Sequence, residues 1–450
     1  MCAAAPMPPF APHAERLSLG QGAHFALQAL LLLPARCPHT MSLTTLHGRI
    51  LTPDGWIDGR ICWAPRESHT GSVPTSAPFP PDTPGTVVAL DGVPVSDADV
   101  AADLARGAPH RWILPGFIDL HVHGGGGADA MEGAAAVSVI ARTHAAHGTT
   151  SFLITTMTAP RTELDAVLPA LAECCLPGAT DGATPLGLHL EGPYLNPGRL
   201  GAQPDAAVKA TRDEVLHFLG LAPIRVLTLA PEIHDRLDII SELASLGVRV
   251  QLGHSLATYE QACDALHHGA TGFTHLYNAM TPLQHRAPGV VGAALAHADY
   301  AELIPDLLHV HPGAMRAAFR AIPHLYCVTD GTAACGMPDG DYKLGSQAVN
   351  KCLGAVRLAD GTLAGSALTM DQALRNLVEI GLPLADASRR LSQYPADYLG
   401  ETSRGRLLKG AIADVIVLDE KLDVRDVFIG GVSFSPVLPS QRVDNPGRLP

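Results

Sequence analysis

Residues 112–127 read WILPGFIDLHVHGGGG, and this stretch decides the fold. It is an apolar run ending in two histidines two residues apart. Alternate side chains of a strand share a face, so His121 and His123 project the same way at the C-terminal end of a buried strand. Pro115 and Gly116 before the run, and the glycines from 124 to 127 after it, let the backbone turn tightly at both ends. From here to about residue 400, short apolar runs alternate with helical patterns, the rhythm of parallel βα units. Strands are expected at 117–123, 151–155, 187–191, 225–230, 248–253, 272–276 and 326–330. Helices fit between most of them; in 370–380, Met370, Leu374, Leu377 and Val378 share one helical face. The fold class is α/β, a (β/α)8 TIM-like barrel over 113–403.

The flanks have a different texture. Residues 41–61, MSLTTLHGRILTPDGWIDGRI, alternate like a hairpin with its turn at Asp54 and Gly55, and 87–90 is strand-like. Residues 68–85 are Pro/Ser/Thr-rich and read as a surface loop. After 404 strand-like alternation returns, so 41–112 and 404–436 are expected to build one small β-sandwich domain from the N- and C-terminal segments. Residues 1–40, rich in Ala, Pro and Leu without period, read as a disordered extension, with Met41 an alternative start, and 437–450 reads as a tail. The run 25–33 resembles a short signal h-region but lacks a basic flank and a cleavage site.

The bulk composition agrees with a packed enzyme. In 450 residues, 47% are hydrophobic and 17% charged, with 44 Gly for turns. A net charge of −13 repels phosphate backbones and anionic lipid, so neither nucleic acid nor a membrane is an expected partner. Nine cysteines, paired in sequence only at Cys174 and Cys175, suit reduced thiols and a cytoplasmic location.

The chemistry follows from where metal-type side chains fall. The His121/His123 pair alone could equally be a hydrogen-bonded pair in a turn. Four further candidates each end their own strand: Glu191 in GLHLEGP, His254 in VQLGHS, His275 in GFTHLYNAM and Asp330 in YCVTDGT. Any one of them reads as a capped turn or a satisfied core group, but together they converge where barrel enzymes keep their active sites. Imidazole with carboxylate, and no cysteine at any strand end, suits Zn²⁺, with Fe²⁺ or Mn²⁺ as alternatives. Such an ion activates water and polarises a carbonyl, so hydrolysis of an amide is expected, with Asp330 moving the proton to the leaving amine. His144 and His147, and His267 and His268, precede glycines at helix ends and are assigned to the helix dipole.

These residues resemble the amidohydrolase superfamily and, within it, the N-acetylglucosamine-6-phosphate deacetylase family. Beyond PGFIDLHVHGGGG, the resemblance rests on GTTSFLITTMT, LHLEGPYLNP, TLAPE, LGHSLAT, THLYNAMTPLQHRAPGVVGAAL, VTDGTAACGMPDGDY, GTLAGSALTM and KGAIADVIVLD, in that order. It implies a primary metal held by Glu191, His254 and His275, with Asp330 as catalytic acid/base. Members that keep the HxH can bind a second ion, so His121 and His123 leave one or two ions per subunit open. The resemblance also implies that Arg286 and His309 grip a 6-phosphate, and that Asn278 and Ala279 meet the sugar or phosphate. Ala202, Gln203, Leu363, Ala364 and Gly365 would line the sugar and acetyl pocket; Gln203 stands where some members carry His. The implied substrate is a phosphorylated amino sugar and the implied assembly a homodimer whose subunits share phosphate-binding residues. Rival readings are a deacylase of another N-acyl amino sugar or amino acid, and a silent amidohydrolase-like scaffold, which has no physical need of an intact ligand set.

Overall fold

In a computed structural model, residues 43–64, 84–234 and 237–435 are described. The readings made for 1–40, Met41, 437–450 and nearly all of 68–85 lie outside these residues.

The alternating flanks pair with each other. They form one seven-stranded sheet in the order Val432–Phe434, Val424–Ile429, Val415–Leu418, Trp112–Pro115, Thr44–Thr52, Gly55–Trp63 and Val87–Val95. The two ends of the chain meet because Trp112–Pro115 pairs in parallel with Thr44–Thr52 on one side and antiparallel with Val415–Leu418 on the other. With both edges of that strand taken, the sheet runs unbroken between the two ends of the chain and folds over its own core: Trp63 and Phe428, four strands apart in the order, have ring centroids 4.9 Å apart, and Trp63 Nε1 donates to the Gly431 carbonyl (3.0 Å). Period 2 gives this sheet two buried faces. Ile50, Ile61, Ile113 and Val415 make a small core of their own, while Leu51, Trp56, Trp112, Leu114 and Ile416 join the main core. The hairpin forms one residue earlier than expected: Thr52 pairs with Gly55, so Pro53 and Asp54 are the turn. Proline's fixed φ suits the first turn position.

The main core surrounds a six-stranded parallel sheet in the order Gly272–Phe273, Arg249–Leu252, Ile224–Leu229, Thr184–Glu191, Thr149–Thr155 and Phe117–Val122. Helices including Ala134–Ala146, Arg161–Cys174 and Tyr259–His267 connect its strands. The sheet curls on beyond both edges. The Leu276 amide donates to the Glu302 carbonyl (2.8 Å), and Glu302–Leu303 pairs in parallel with Tyr326–Cys327. Four residues further on, Gly331 bridges in parallel to Val122 on the first strand. The helix expected over 370–380 is Met370–Glu379; it buries Met370, Leu374 and Leu377 and leaves Val378 half-buried.

The glycine run works by close approach as well as by turning. A Cβ on Gly124 would lie 2.4 Å from the Ala333 amide nitrogen, and one on Gly125 would lie 3.0 Å from His144 Nε2. His144 corrects the dipole reading. It is fully buried, its Nε2 lies 2.9 Å from the Gly124 carbonyl, and burial lowers its pKa to about 4. At neutral pH it carries no charge and props the loop behind His123. Among the described residues no helix is long and apolar enough to cross a membrane.

Candidate metal centre

Every strand end singled out in the sequence arrives at one place. Glu191 Oε1 lies 3.1 Å from His254 Nε2 and 3.3 Å from His275 Nε2, and the two imidazole nitrogens are 3.0 Å apart. A tetrahedral ion with N and O ligands at about 2.0–2.1 Å spaces those ligands about 3.3 Å apart, so this triangle has the size of a metal site. The other carboxylate oxygen, Glu191 Oε2, faces a second group. It is 3.4 Å from His121 Nε2 and 3.1 Å from His123 Nε2. Those two nitrogens are 3.1 Å from each other and each 3.4 Å from Asp330 Oδ1. Glu191 therefore stands between two donor sets of metal-binding chemistry, both buried. The chain bends sharply where it delivers these groups. His254, His275 and Asp330 have φ of 49°, 33° and 50°, a region side chains rarely adopt and one that collects at functional sites.

The electrostatics are those of a cation site. Burial opposes a charged imidazole, yet Glu191 and Asp330 raise His121 well above its ordinary pKa, and hydrogen bonds to the same two carboxylates raise His123 to about 9. The converse holds for the acids. Burial alone would raise them, but His121 and His123 hold Glu191 well below and Asp330 below the usual carboxylate range.

These groups open onto a cavity of about 490 Å³, within the range of small-ligand sites. Of the residues assigned to substrate, Ala202, Gln203, Asn278, Ala279, His309, Leu363 and Gly365 line it. Ala364 is buried, its amide bonded to the Val356 carbonyl at 3.0 Å. Gln203 is engaged before any sugar arrives: its Nε2 donates to Glu191 Oε2 (2.5 Å) and its Oε1 accepts from the Thr158 amide (2.7 Å). His309 Nδ1 is 2.6 Å from Asp306 Oδ2, and although burial opposes the charge, Asp306 holds the imidazole above its ordinary pKa. Arg286 lies elsewhere. It is exposed, donates to His285 (2.9 Å), and lines a separate surface cavity with Tyr259 and Thr281.

Sequence reasoning missed the polar layer behind these imidazoles and carboxylates. Asp119 accepts from the Thr329 hydroxyl (2.6 Å), and burial pushes its pKa up to about 7. His189 Nε2 lies 2.7 Å from the Thr228 hydroxyl, and Glu302 Oε2 lies 3.0 Å from His121 Nδ1. Asp119 and His189 stand two residues before His121 and Glu191, so period 2 alone marks them as inward-facing.

A curled parallel sheet with clustered imidazoles and carboxylates at its strand ends is the arrangement of a metal-dependent hydrolase. The amidohydrolase family matches residues 112–434. The N-acetylgalactosamine-6-phosphate deacetylase of Escherichia coli O157:H7 is 38% identical over 392 residues, 85% of this chain and 97% of that protein. The N-acetylglucosamine-6-phosphate deacetylase of Lysinibacillus sphaericus is 40% identical over 320 residues, 69% of this chain and 82% of that one. Among solved structures, a Mycobacterium smegmatis N-acetyl-D-glucosamine-6-phosphate deacetylase mutant in complex with N-acetyl-D-glucosamine-6-phosphate superposes with a TM-score of 0.74 at 31% identity, over 87% of this chain and 99% of that one. The chain belongs to the amidohydrolase family, in the branch of these amino-sugar-phosphate deacetylases.

Proposed function

We propose that this protein hydrolyses N-acetyl-D-glucosamine 6-phosphate to D-glucosamine 6-phosphate and acetate. The observation that carries the reading is the triangle of Glu191, His254 and His275 at a cavity that Asp330 and His309 also line. Glu191, His254 and His275 would hold the primary ion, with Zn²⁺ preferred on donor type. His121, His123 and Asp330 offer the donors of a second. A divalent ion there lowers the pKa of bound water to about 7 and polarises a carbonyl oxygen.

Asp330 is the acid/base. Held ionised beside His121 and His123, its carboxylate accepts a proton from the attacking water. It returns that proton to the amide nitrogen as the C–N bond breaks, so the new C–O bond leaves with acetate and the amine leaves neutral. His309 is fixed by Asp306 through Nδ1, which leaves the other ring nitrogen for a phosphate oxygen. Asn278 and Ala279 line the same cavity.

Arg286, exposed and away from this cavity, suits a phosphate in a partner's site, which is the reason to read the assembly as a homodimer. The strand links from Leu276 to Glu302 and from Gly331 to Val122 support an eight-stranded closed barrel, with a small β domain from 41–112 and 404–436 beside it. A cytoplasmic location fits the free thiols of Cys174 and Cys175.

A second reading places the C4 epimer, N-acetyl-D-galactosamine 6-phosphate, as substrate; the near full-length match to a deacetylase named for it favours this. One experiment tests both. Acetate release is measured from each 6-phosphate and from the unphosphorylated sugars, after chelation and after re-addition of Zn²⁺, Fe²⁺ or Mn²⁺. Metal-restored release from the gluco epimer, with kcat/KM falling sharply without the phosphate, is expected. Preference for the galacto epimer selects the second reading, and no release from any of them removes both.

A further inference from the structure

Glu302 takes no part in the reading above, yet it is fully buried directly behind the metal-type cluster. Its Oε2 lies 3.0 Å from His121 Nδ1, and its Oε1 accepts from Gln251 Nε2 (3.0 Å) and the Tyr326 hydroxyl (3.2 Å). Gln251 Nε2 is also 2.8 Å from that hydroxyl, so the three groups fix one another. The other imidazoles of the cluster are backed differently. His254 Nδ1 is 2.8 Å from the Arg199 carbonyl, and the Nδ1 atoms of His123 and His275 have no hydrogen-bond partner among the described residues. Only His121 has a carboxylate behind it.

An ionised carboxylate can only accept, so Nδ1 keeps its proton, and it is Nε2, facing the cluster, that offers a lone pair once the ring is neutral. There it meets His123 Nε2 at 3.1 Å, and Glu191 Oε2 and Asp330 Oδ1 at 3.4 Å. We infer that Glu302 is the positioning residue of His121: by holding the Nδ1–H it presents Nε2 as a ligand to an ion shared with His123, Asp330 and Glu191. The inference rests on the metal reading. A carboxylate in this place fixes the ring and strengthens it as a ligand, and losing such a partner commonly costs about 10–100-fold in metal affinity.

A rival role is direct ligation, since donor atoms of His121, His189 and Glu302 all lie within 4.8 Å of one another. His189 is poorly placed for that. Its Nδ1 lies 3.2 Å from the Leu120 carbonyl and its Nε2 lies 2.7 Å from the Thr228 hydroxyl, so both nitrogens are engaged.

The test is a Co²⁺ titration of the chelated full chain, read by equilibrium dialysis and by the visible absorption of the bound ion. It compares wild type with Glu302→Gln, which keeps the shape and loses the charge, and with Glu302→Asp, which keeps the charge and shortens the reach. The wild type is expected to bind in two steps. Glu302→Gln leaves the first unchanged, weakens the second about 10–100-fold and alters its spectrum. Glu302→Asp falls between, and carries the test alone if the glutamine variant does not fold. An unchanged second step, a single step in the wild type, or equal weakening of both steps overturns the proposal, the last marking a purely structural role. A wild type that binds no Co²⁺ overturns the metal reading itself, and so separates the two failures.

Discussion

Replacing Gln203 by leucine keeps nearly the same volume and removes two hydrogen bonds made in a buried place. The bond to ionised Glu191 (2.5 Å) is charge-assisted and is worth about 1.5–3 kcal/mol. The Thr158 amide, now bonded to Gln203 Oε1 at 2.7 Å, would be left without that acceptor at a cost of about 1–3 kcal/mol. Leucine's extra apolar burial returns about 1–2 kcal/mol. The net loss is about 0.5–5 kcal/mol, centred on about 3 kcal/mol and concentrated on the carboxylate that stands between both donor sets. Thermal melting of the chelated protein reads the stability loss, and metal titration reads its consequence, a Kd for the primary ion raised about 10–100-fold. KM for the sugar phosphate should move little. A variant with unchanged metal affinity and a strongly raised KM would refute this reasoning and return Gln203 to the role of a sugar contact.

Three further outcomes follow from the same geometry. Asp330→Asn should retain metal, measured by elemental analysis, while kcat falls by several orders of magnitude, because proton transfer and water orientation are lost together. Arg286→Ala should leave metal content unchanged and lower kcat/KM for the phosphorylated substrate about 10–100-fold, the worth of one charge-assisted contact, with no effect on the unphosphorylated sugar. His144 makes stability acid-sensitive. Its folded pKa of about 4 lies below the ordinary 6.5, so the unfolded chain takes up the proton first and stability is lost as pH falls through that window. Between pH 7 and 5 this one group removes about 2 kcal/mol, which denaturant titration of wild type against His144→Gln can isolate.

The candidate ligands were legible from the apolar runs before them: Glu191 ends the strand Thr184–Glu191, while His254, His275 and Asp330 fall two or three residues past Arg249–Leu252, Gly272–Phe273 and Tyr326–Cys327. Parallel βα order then brings strand ends together wherever the sheet curls. Glu302 was not legible because it opens its strand, Glu302–Leu303, with no apolar run before it, and an isolated glutamate before Leu303 reads as surface. Its signal was local, since its neighbours Ala301 and Leu303 are both apolar and both buried. In the flanks, alternation reports that a strand has two faces, not which strand lies beside it. The pairing of Trp112–Pro115 with partners from both ends of the chain is a long-range choice. Gln203 lines the cavity, and its amide is bonded to Glu191 and to the Thr158 amide, partners that no sequence pattern marks.

Crystals of the protein grown with Zn²⁺ and measured on both sides of the zinc absorption edge would locate the ion directly. The account predicts an anomalous peak bounded by Glu191, His254 and His275, with any second peak on the side of His121, His123 and Asp330. Zinc bound elsewhere, with those side chains left without an ion between them, would contradict it.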